Sequence, residues 1–394
     1  MYRLPDFDLT PAQQERYARH LRLRGVGPEG QKRLLQSRVL VVGVGGLGSP
    51  AALYLAAAGV GTLGLLDDDR VSLSNLQRQV LYTTQDVGQP KVDAARRRLL
   101  ALNPDANVVI HPLRLRPENA LNLVAGYDLV VNASDNFPTR YLLSDACVLL
   151  RKPLVDASVV GFSGQVTAFL PGQGCYRCLF PAPPPPEAAP TCTEAGVLGA
   201  LVGQLGAMEA MEAVKILLGI GDTLAGRLLL VDALAAEVQE VAWGRNPQCP
   251  ACGDRPQISA LAAVDYDAFC GLVPAPGLRE QSGRQGPEDG FNLKPREVYD
   301  LLQQGRVRLV DVREPWEFAF YHAPGAQSLP MAFFRQLMGD LERDRDLVIV
   351  CEKGAHSAQV VDALRLAGLS RIFNLEGGMI AWLAENLPVV QGEA

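Results

Sequence analysis

Cysteine carries much of the chemistry open to this sequence. Cys175 and Cys178 form one CxxC pair, and Cys249 and Cys252 form a second. Four thiolates in two such knuckles, roughly seventy residues apart, suit a tetrahedral Zn2+ with no open coordination position. Two redox dithiols are the alternative reading, but neither pair stands at a helix start of the thioredoxin type. Cys192, in Thr191-Cys192-Thr193-Glu194, follows the proline-rich stretch PAPPPPEAAP. A thiol on such a loop can attack an activated carboxyl group and form a thioester. Cys351 opens the run Cys351-Glu352-Lys353-Gly354-Ala355-His356-Ser357, between an apolar strand and a helix. Backbone amides curled around a sulfur at a helix N-terminus stabilise its anion.

A second set of residues suits a nucleotide. Gly43-Val44-Gly45-Gly46-Leu47-Gly48 follows an apolar strand and opens a helix. Amides at such a turn, with the helix N-terminus behind them, favour phosphate. Asp67 ends the next strand about twenty residues on, where a carboxylate accepts from ribose hydroxyls. Taken alone, this describes a Rossmann-like nucleotide binder, and a nicotinamide-dependent dehydrogenase with an inert sulfur domain is one reading. Ser74-Asn75-Leu76-Gln77-Arg78-Gln79, Lys91 and Asp135-Asn136 argue for another. Hydride transfer has no use for an arginine and a lysine at the phosphates. Cleavage of a phosphoanhydride does, with Arg78 and Lys91 offsetting phosphate charge and Asp135 holding Mg2+.

The elements that must position these residues follow from pattern. Val39 to Leu66 runs without a charge but holds seven glycines and a proline, so it reads as strand, turn, helix and strand rather than a membrane span. KVDAARRRLLAL is an amphipathic helix, and ANVVIHPL and YDLVVNASD are strands. This alternation predicts a doubly wound α/β sheet. VDASVVGFSGQVTAFLPG reads as two strands joined near Gly161–Gly164, Gly203–Leu218 as a helix offering Met208, Met211, Ile216 and Leu217 for burial, and LLLVDALAAEVQEVAW as paired strands. Residues 270–290, rich in Gly, Pro and charge, read as a linker whose twenty flexible residues give an r.m.s. span near 25 Å. From Phe291 onward the alternation resumes: helices near Pro295–Gln304, Phe333–Leu341, Ser357–Leu366 and Met379–Glu385, and strands VRLVDV, DLVIVC and RIFNL. Cys147 is assigned to core packing. Cys270 and the loop histidines His322 and His356 are given no role.

The chain has 394 residues, 48% hydrophobic and 20% charged, with 37 basic against 43 acidic residues and a net charge of −6. That is ample for two or three cored domains and rules out disorder for most of the chain. The balance offers no basic face for nucleic acid. The first twenty residues are charged and lack an apolar core, so no secretory signal is expected. Eight cysteines are too few for a disulfide-stapled domain, and a reduced cytoplasmic protein is expected.

The runs RVLVVGVGGLGSPAALYLAAAGVGTLGLLDDDRVSLSNLQRQ, GQPKVDAA and ASDN resemble the ubiquitin-activating-enzyme superfamily, and within it the bacterial MoeB/ThiF branch. The resemblance covers about residues 10–255. It implies that the C-terminal Gly-Gly carboxylate of a ubiquitin-like sulfur carrier attacks the α-phosphate of ATP, giving acyl-adenylate and pyrophosphate. The implied ATP contacts are Gly43, Gly45, Gly46, Asp67, Ser74, Asn75, Arg78, Lys91, Asp135 and Asn136, with Mg2+ on Asp135 and a structural Zn2+ on the four cysteines. The resemblance also implies a homodimer in which Arg19 of RYARHLRL, or less directly Arg16, reaches across to the partner's ATP. It places Cys192 on a crossover loop that in some members bonds to the carrier.

VDVREPWEFAFYHAPGAQSLP and the Cys351–Ser357 loop resemble rhodanese domains over about residues 291–390. This implies that Cys351 carries a persulfide taken from a donor such as a cysteine desulfurase or thiosulfate. Gly354 permits the tight loop, Ser357 and the loop amides cradle the sulfur, and Asp311 and Arg313 hold the loop. Many such loops carry a basic residue after the cysteine, whereas here it is Glu352, which opposes a thiolate unless Lys353 offsets it. A phosphatase is disfavoured because no arginine stands at 357.

The expectation is therefore an α/β chain: a Rossmann-like ThiF-type adenylating domain with a zinc knuckle at 1–269, a linker at 270–290, and a rhodanese-like α/β domain at 291–394. It adenylates a sulfur carrier and then delivers sulfur from Cys351 as a thiocarboxylate. Molybdopterin, thiamine, cysteine and tRNA-thiolation pathways all use such activators.

Overall fold

The computed structural model describes residues 9–184, 195–270, 291–330, 345–366 and 371–392. The chain divides into two compact units, Met1–Gly277 and Leu278–Ala394. Residues 271–290 of the linker expected at 270–290, the helix near Phe333–Leu341 and Cys192 lie outside the described residues.

The first unit is built on an eight-stranded sheet in the order β3-β2-β1-β4-β5-β6-β7-β8. β1 (Arg38–Val42), β2 (Thr62–Leu66), β3 (Asn107–His111), β4 (Leu129–Asn132) and β5 (Leu154–Val160) are parallel. β6 (Ser163–Phe169), β7 (Arg227–Asp232) and β8 (Glu237–Ala242) continue it with antiparallel pairings. The parallel strands are continuous apolar runs because both faces are covered. On one face α1 (Gly48–Ala58), α2 (Lys91–Leu102) and α4 (Gly199–Leu218) enclose a core that includes Val39, Val41, Leu55, Leu65, Leu99 and Leu205. On the other, α3 (Phe137–Leu150) covers Leu40, Val42 and Val130.

The chain runs outward from β1 through β2 to β3, then returns to β4 on the other side of β1. The switch in direction opens a crevice at the carboxyl ends of β1 and β4, where open α/β sheets bind ligands. Gly43 sits on this edge at φ +85°, and a Cβ there would lie 2.7 Å from the Ala133 carbonyl oxygen. A Cβ at Gly48 would lie 1.9 Å from the Gly43 carbonyl oxygen, so only glycine lets α1 start this close to the turn. Gly43→Ala is expected to cost about 1–3 kcal/mol from the left-handed backbone alone, read as a lower urea midpoint with unchanged slope.

Two sequence expectations need correction here. Met211 is 61% exposed, because α4 turns that face outward while Leu201, Leu205 and Ala213 pack inward. Cys270 is not incidental: it is buried at the end of the short helix Tyr266–Phe269, in the α3-side core.

The second unit is a five-stranded parallel sheet ordered β11-β10-β12-β13-β9. Its strands are β9 (Asn292–Leu293), β10 (Val307–Asp311), β11 (Gln327–Ser328), β12 (Asp346–Val350) and β13 (Ile372–Leu375). Two cores, one around Ile349 and Val361 and one around Val348 and Trp382, fill its faces. Helices α5 (Ala355–Leu366) and α6 (Gly378–Ala384) both start at the carboxyl edge of the sheet. The helix Pro315–Phe320 was not legible in the sequence, and it buries His322 behind it. His322 Nδ1 meets the Phe318 carbonyl at 2.8 Å and its ring stacks on Phe318, so this histidine is a packed residue rather than an exposed one.

Candidate functional site

The crevice brings together most of the nucleotide residues named above. Asp67 leaves the end of β2 with one carboxylate oxygen accepting the Val44 N–H at 2.8 Å and the other the Asp69 N–H at 2.9 Å. It thus fixes the glycine turn as well as facing the crevice. Burial raises its pKa, with Lys91 opposing. Lys91, at the start of α2, is buried and holds its ammonium 2.7 Å from Asp69 and 3.9 Å from Asp67. Arg78 lies over the turn: its Cδ is 3.6 Å from where a Cβ of Gly46 would stand, and its Nη1 donates to the Ser74 carbonyl at 3.2 Å. The Tyr82 hydroxyl donates to the Val44 carbonyl at 2.7 Å and braces the turn from below.

From the other side, the loop after β4 abuts Gly43. Asp135 is exposed on this loop. The Asn136 side chain accepts from Thr139 N–H at 3.0 Å and caps α3. Asn75 accepts from the Ser72 N–H at 3.2 Å, and the Ser72 and Ser74 hydroxyls lie 3.0 Å apart. Sequence reasoning missed what lies beneath the loop: Arg140, Asp156 and Asn132, all buried. The available signal was a charged residue, Asp156, inside the otherwise apolar run of β5.

Arg19 and Arg16 are not in this crevice in the same chain. Arg16 Nη1 donates to the Leu102 carbonyl at 2.9 Å, and Asn103 Nδ2 donates to the Tyr17 hydroxyl at 2.8 Å. Their segment is thereby tied to the far end of α2 from Lys91, about 17 Å along the helix. Arg19 itself is exposed.

Cys175, Cys178, Cys249 and Cys252 converge, with all four sulfurs within 4.8 Å of one another. The pairs Cys175–Cys178, Cys175–Cys249 and Cys178–Cys252 are 3.9, 3.6 and 3.3 Å apart. A tetrahedron of thiolates about 2.3 Å from a central metal has edges near 3.8 Å, so the cluster is consistent with a zinc knuckle. The Asn246 N–H donates to Cys178 at 3.3 Å. The Cys178 thiol is driven well below its ordinary range, first by its hydrogen bond with Cys175. The knuckle is bolted to α3 through Arg177, whose Nε and Nη2 pair with Asp145 at 2.9 Å while the Tyr266 hydroxyl donates to the same carboxylate. Cys178→Ser, or incubation with a strong chelator, is expected to lower the melting temperature of the first unit and expose Trp243 fluorescence to quencher. An unchanged melting curve would remove the metal from the fold.

In the second unit the Cys351 sulfur is buried in a ring of donors. Gly354 N–H, Ser357 N–H and the Ser357 hydroxyl lie 3.2, 3.4 and 3.2 Å from it. The carboxylate of Glu352 does not face the sulfur uncompensated. It accepts from the Tyr321 hydroxyl at 2.8 Å and from Arg313 Nη1 at 3.1 Å. Arg313 is in turn fixed by Asp311, through Nε at 3.0 Å and Nη2 at 2.7 Å. The charge at position 352 is thus offset by Arg313 rather than by Lys353, which is exposed. Weakening this link by Glu352→Gln is expected to slow sulfur transfer by about tenfold or more, one charge-assisted hydrogen bond's worth, with adenylation unchanged.

Comparison with known proteins gives the same division. A model of the ThiF family matches residues 17–251, and a model of the rhodanese-like domain matches residues 294–385. The chain is similar to the probable adenylyltransferase/sulfurtransferase MoeZ of Mycobacterium tuberculosis, at 42% identity over 98% of this chain and 96% of that one. It is similar to the sulfur carrier protein adenylyltransferase of Thermus thermophilus, at 56% identity over 67% of this chain and 98% of that one. Among solved structures it shares the fold of MccB from E. coli, with a TM-score of 0.56 at 23% identity over 64% of this chain and 75% of that one.

Proposed function

From the premise that this chain belongs to the ThiF family, carries a rhodanese-like domain and is an adenylyltransferase and sulfurtransferase, we propose that its substrate is the C-terminal Gly-Gly carboxylate of a ubiquitin-like sulfur carrier. The observation that carries this reading is the meeting of Lys91, Arg78 and the glycine turn with the Asp135 loop across one crevice. The carboxylate oxygen attacks the α-phosphorus of ATP. The bond from that phosphorus to the bridging oxygen breaks, and pyrophosphate leaves. Turn amides hold phosphate, Asp67 orients ribose, and Arg78 and Lys91 offset the charge that develops on the leaving group. Mg2+, for which Asp135 is the candidate ligand, neutralises further phosphate charge when bound. Zn2+ in the four-cysteine knuckle has a structural role only. In a homodimer Arg19 supplies a further cation to the partner's crevice.

The second step delivers sulfur. Cys351 thiolate takes the outer sulfur of a donor persulfide, releasing the donor's thiolate. The resulting persulfide attacks the carrier's acyl carbon, and AMP leaves. Release of the thiocarboxylate from that acyl disulfide needs a thiol to attack the Cys351 sulfur, and an external dithiol reductant to return the resulting disulfide to thiols; Cys192 remains the candidate for a thioester to the carrier. The dehydrogenase reading has nothing further to support it.

The test is ATP–pyrophosphate exchange with and without a small carrier ending in Gly-Gly. Carrier-dependent exchange is expected. Its absence with several such carriers, or equal exchange with carriers truncated by their last glycine, would overturn the substrate assignment.

A further inference from the structure

Beneath the loop that follows β4 lies a buried polar network that the reaction as described does not use. Arg140, on the second turn of α3, places Nη1 2.8 and 2.9 Å from the two carboxylate oxygens of Asp156 on β5. Its Nη2 donates to two backbone carbonyls, Ser134 at 2.6 Å and Ala157 at 2.9 Å. Asn132, the last residue of β4, donates from Nδ2 to Asp156, while its oxygen accepts from the Ser134 hydroxyl at 2.7 Å and the Ser134 N–H at 3.2 Å. Every one of these side chains is buried.

The guanidinium therefore ties three things together: the end of β5, the start of α3, and the turn Ala133–Asn136 that carries Asp135. That turn is the wall on which Gly43 rests. A buried cation needs an answering charge, and Asp156 supplies it. The other neighbouring carboxyl group, Glu209 on α4, is fully buried and its oxygens have no hydrogen-bond partner. Burial, and after it the nearby Asp156 carboxylate, raises its pKa well above the ordinary range. A planar fork is the group suited to this task, because two carbonyls and a carboxylate must be met at once. Lysine offers one point charge.

We propose that Arg140 is a positioning residue for adenylation: through its bond to the Ser134 carbonyl it sets the height and orientation of the Asp135 loop against the glycine turn. It touches no substrate. The proposal rests on the reading of Asp135 as part of the nucleotide site. Because a displacement of about 1 Å at reacting groups costs on the order of 10²-fold in rate, loss of the anchor acts on kcat more than on the KM for ATP.

Two variants separate this from a purely structural role. Arg140→Lys keeps a cation against Asp156 but cannot reach both carbonyls. Arg140→Met combined with Asp156→Asn removes both charges while leaving Asn132 an acceptor, and removal of a buried pair as a unit is often neutral to stability. In full-length protein both are expected to lower kcat for ATP–pyrophosphate exchange by about 10²-fold with the KM for ATP changed less than about threefold. In nucleotide-free protein without added Mg2+, the knuckle metal left in place, the amides of Ala133–Asn136 are expected to exchange hydrogen faster than in wild type while those of β1 do not. Wild-type kcat in either folded variant, with Asp135→Ala inactive, overturns the role of Arg140. A kcat loss matched by a collapse of the melting temperature in both variants also overturns it, since the effect is then global. Wild-type exchange in Asp135→Ala brings down the reading of Asp135 instead, and with it the reason for the loop to be positioned.

Discussion

Cys351→Ala is expected to leave ATP–pyrophosphate exchange at the wild-type rate and to reduce carrier thiocarboxylate by at least about 10³-fold. The ThiF match and the rhodanese-like match fall on different compact units, so the mutation is expected to remove one chemistry and spare the other. The size of the effect follows from the surroundings of the sulfur. Three donors converge on Cys351, and an anion there, thiolate or persulfide, is met without reorganisation. No other described cysteine is similarly placed. The Cys147 thiol is pushed far up by burial, and burial pushes Cys270 up to about 11, so both stay protonated and enclosed in the core. The four knuckle sulfurs are committed to one another. A milder variant grades the argument: Ser357→Ala deletes one donor to an anion and should slow transfer about tenfold or more. The measurement is the intact mass of the carrier after incubation with ATP and a persulfide donor, which gains one sulfur in place of one oxygen. Thiocarboxylate at the wild-type rate in Cys351→Ala would mean that sulfur enters from outside and that the second unit only docks its donor.

What the sequence disclosed, and what it withheld, has a physical pattern. The apolar runs of β1, β2 and β4 and the turn Gly43–Gly48 were legible because local composition determines them: continuous Val and Leu for strands covered on both faces, glycine where backbone approaches backbone. The CxxC pairs were legible because metal-type spacing is local within each knuckle, although only the fold brings Cys175 within 3.6 Å of Cys249. Features made by long-range pairing were not. Arg140 is an unremarkable charge in the sequence, and although Asp156 interrupts an apolar run, the bond between α3 and β5 that gives both meaning exists only once the chain is folded. Glu352 looked like an obstacle to the thiolate until Arg313 and Tyr321 came to meet it. Met211 satisfied the helical pattern for burial and yet faces out, because helical periodicity fixes which residues share a face but not where that face points. The helix Pro315–Phe320 was hidden by its length, since one and a half turns carry almost no periodic signal.

Lys91→Ala is expected to lower carrier-dependent exchange by about 10²–10³-fold, the usual loss when one preorganised group facing developing charge is removed. Charge balance makes its neighbour the informative control. In the free protein the ammonium is already engaged, at 2.7 Å by Asp69 and 3.9 Å by Asp67. Phosphate must therefore compete with Asp69, whose side chain is 69% exposed and solvated, so its hold on Lys91 is a weak, surface-type ion pair. Asp69→Asn removes the competitor without touching the glycine turn, because the turn is held by Asp67 through Val44. That variant is expected to bind ATP more tightly, by up to about fivefold, the equivalent of roughly 1 kcal/mol for such a pair. Combining it with Lys91→Ala should abolish the gain, since the only effect of Asp69 on ATP in this scheme passes through Lys91. The two single variants thus move in opposite directions from one contact. If Lys91→Ala exchanges within threefold of wild type, or if Asp69→Asn weakens ATP as strongly as Lys91→Ala does, the lysine is a structural partner of the acidic loop and the phosphate charge must be met without it.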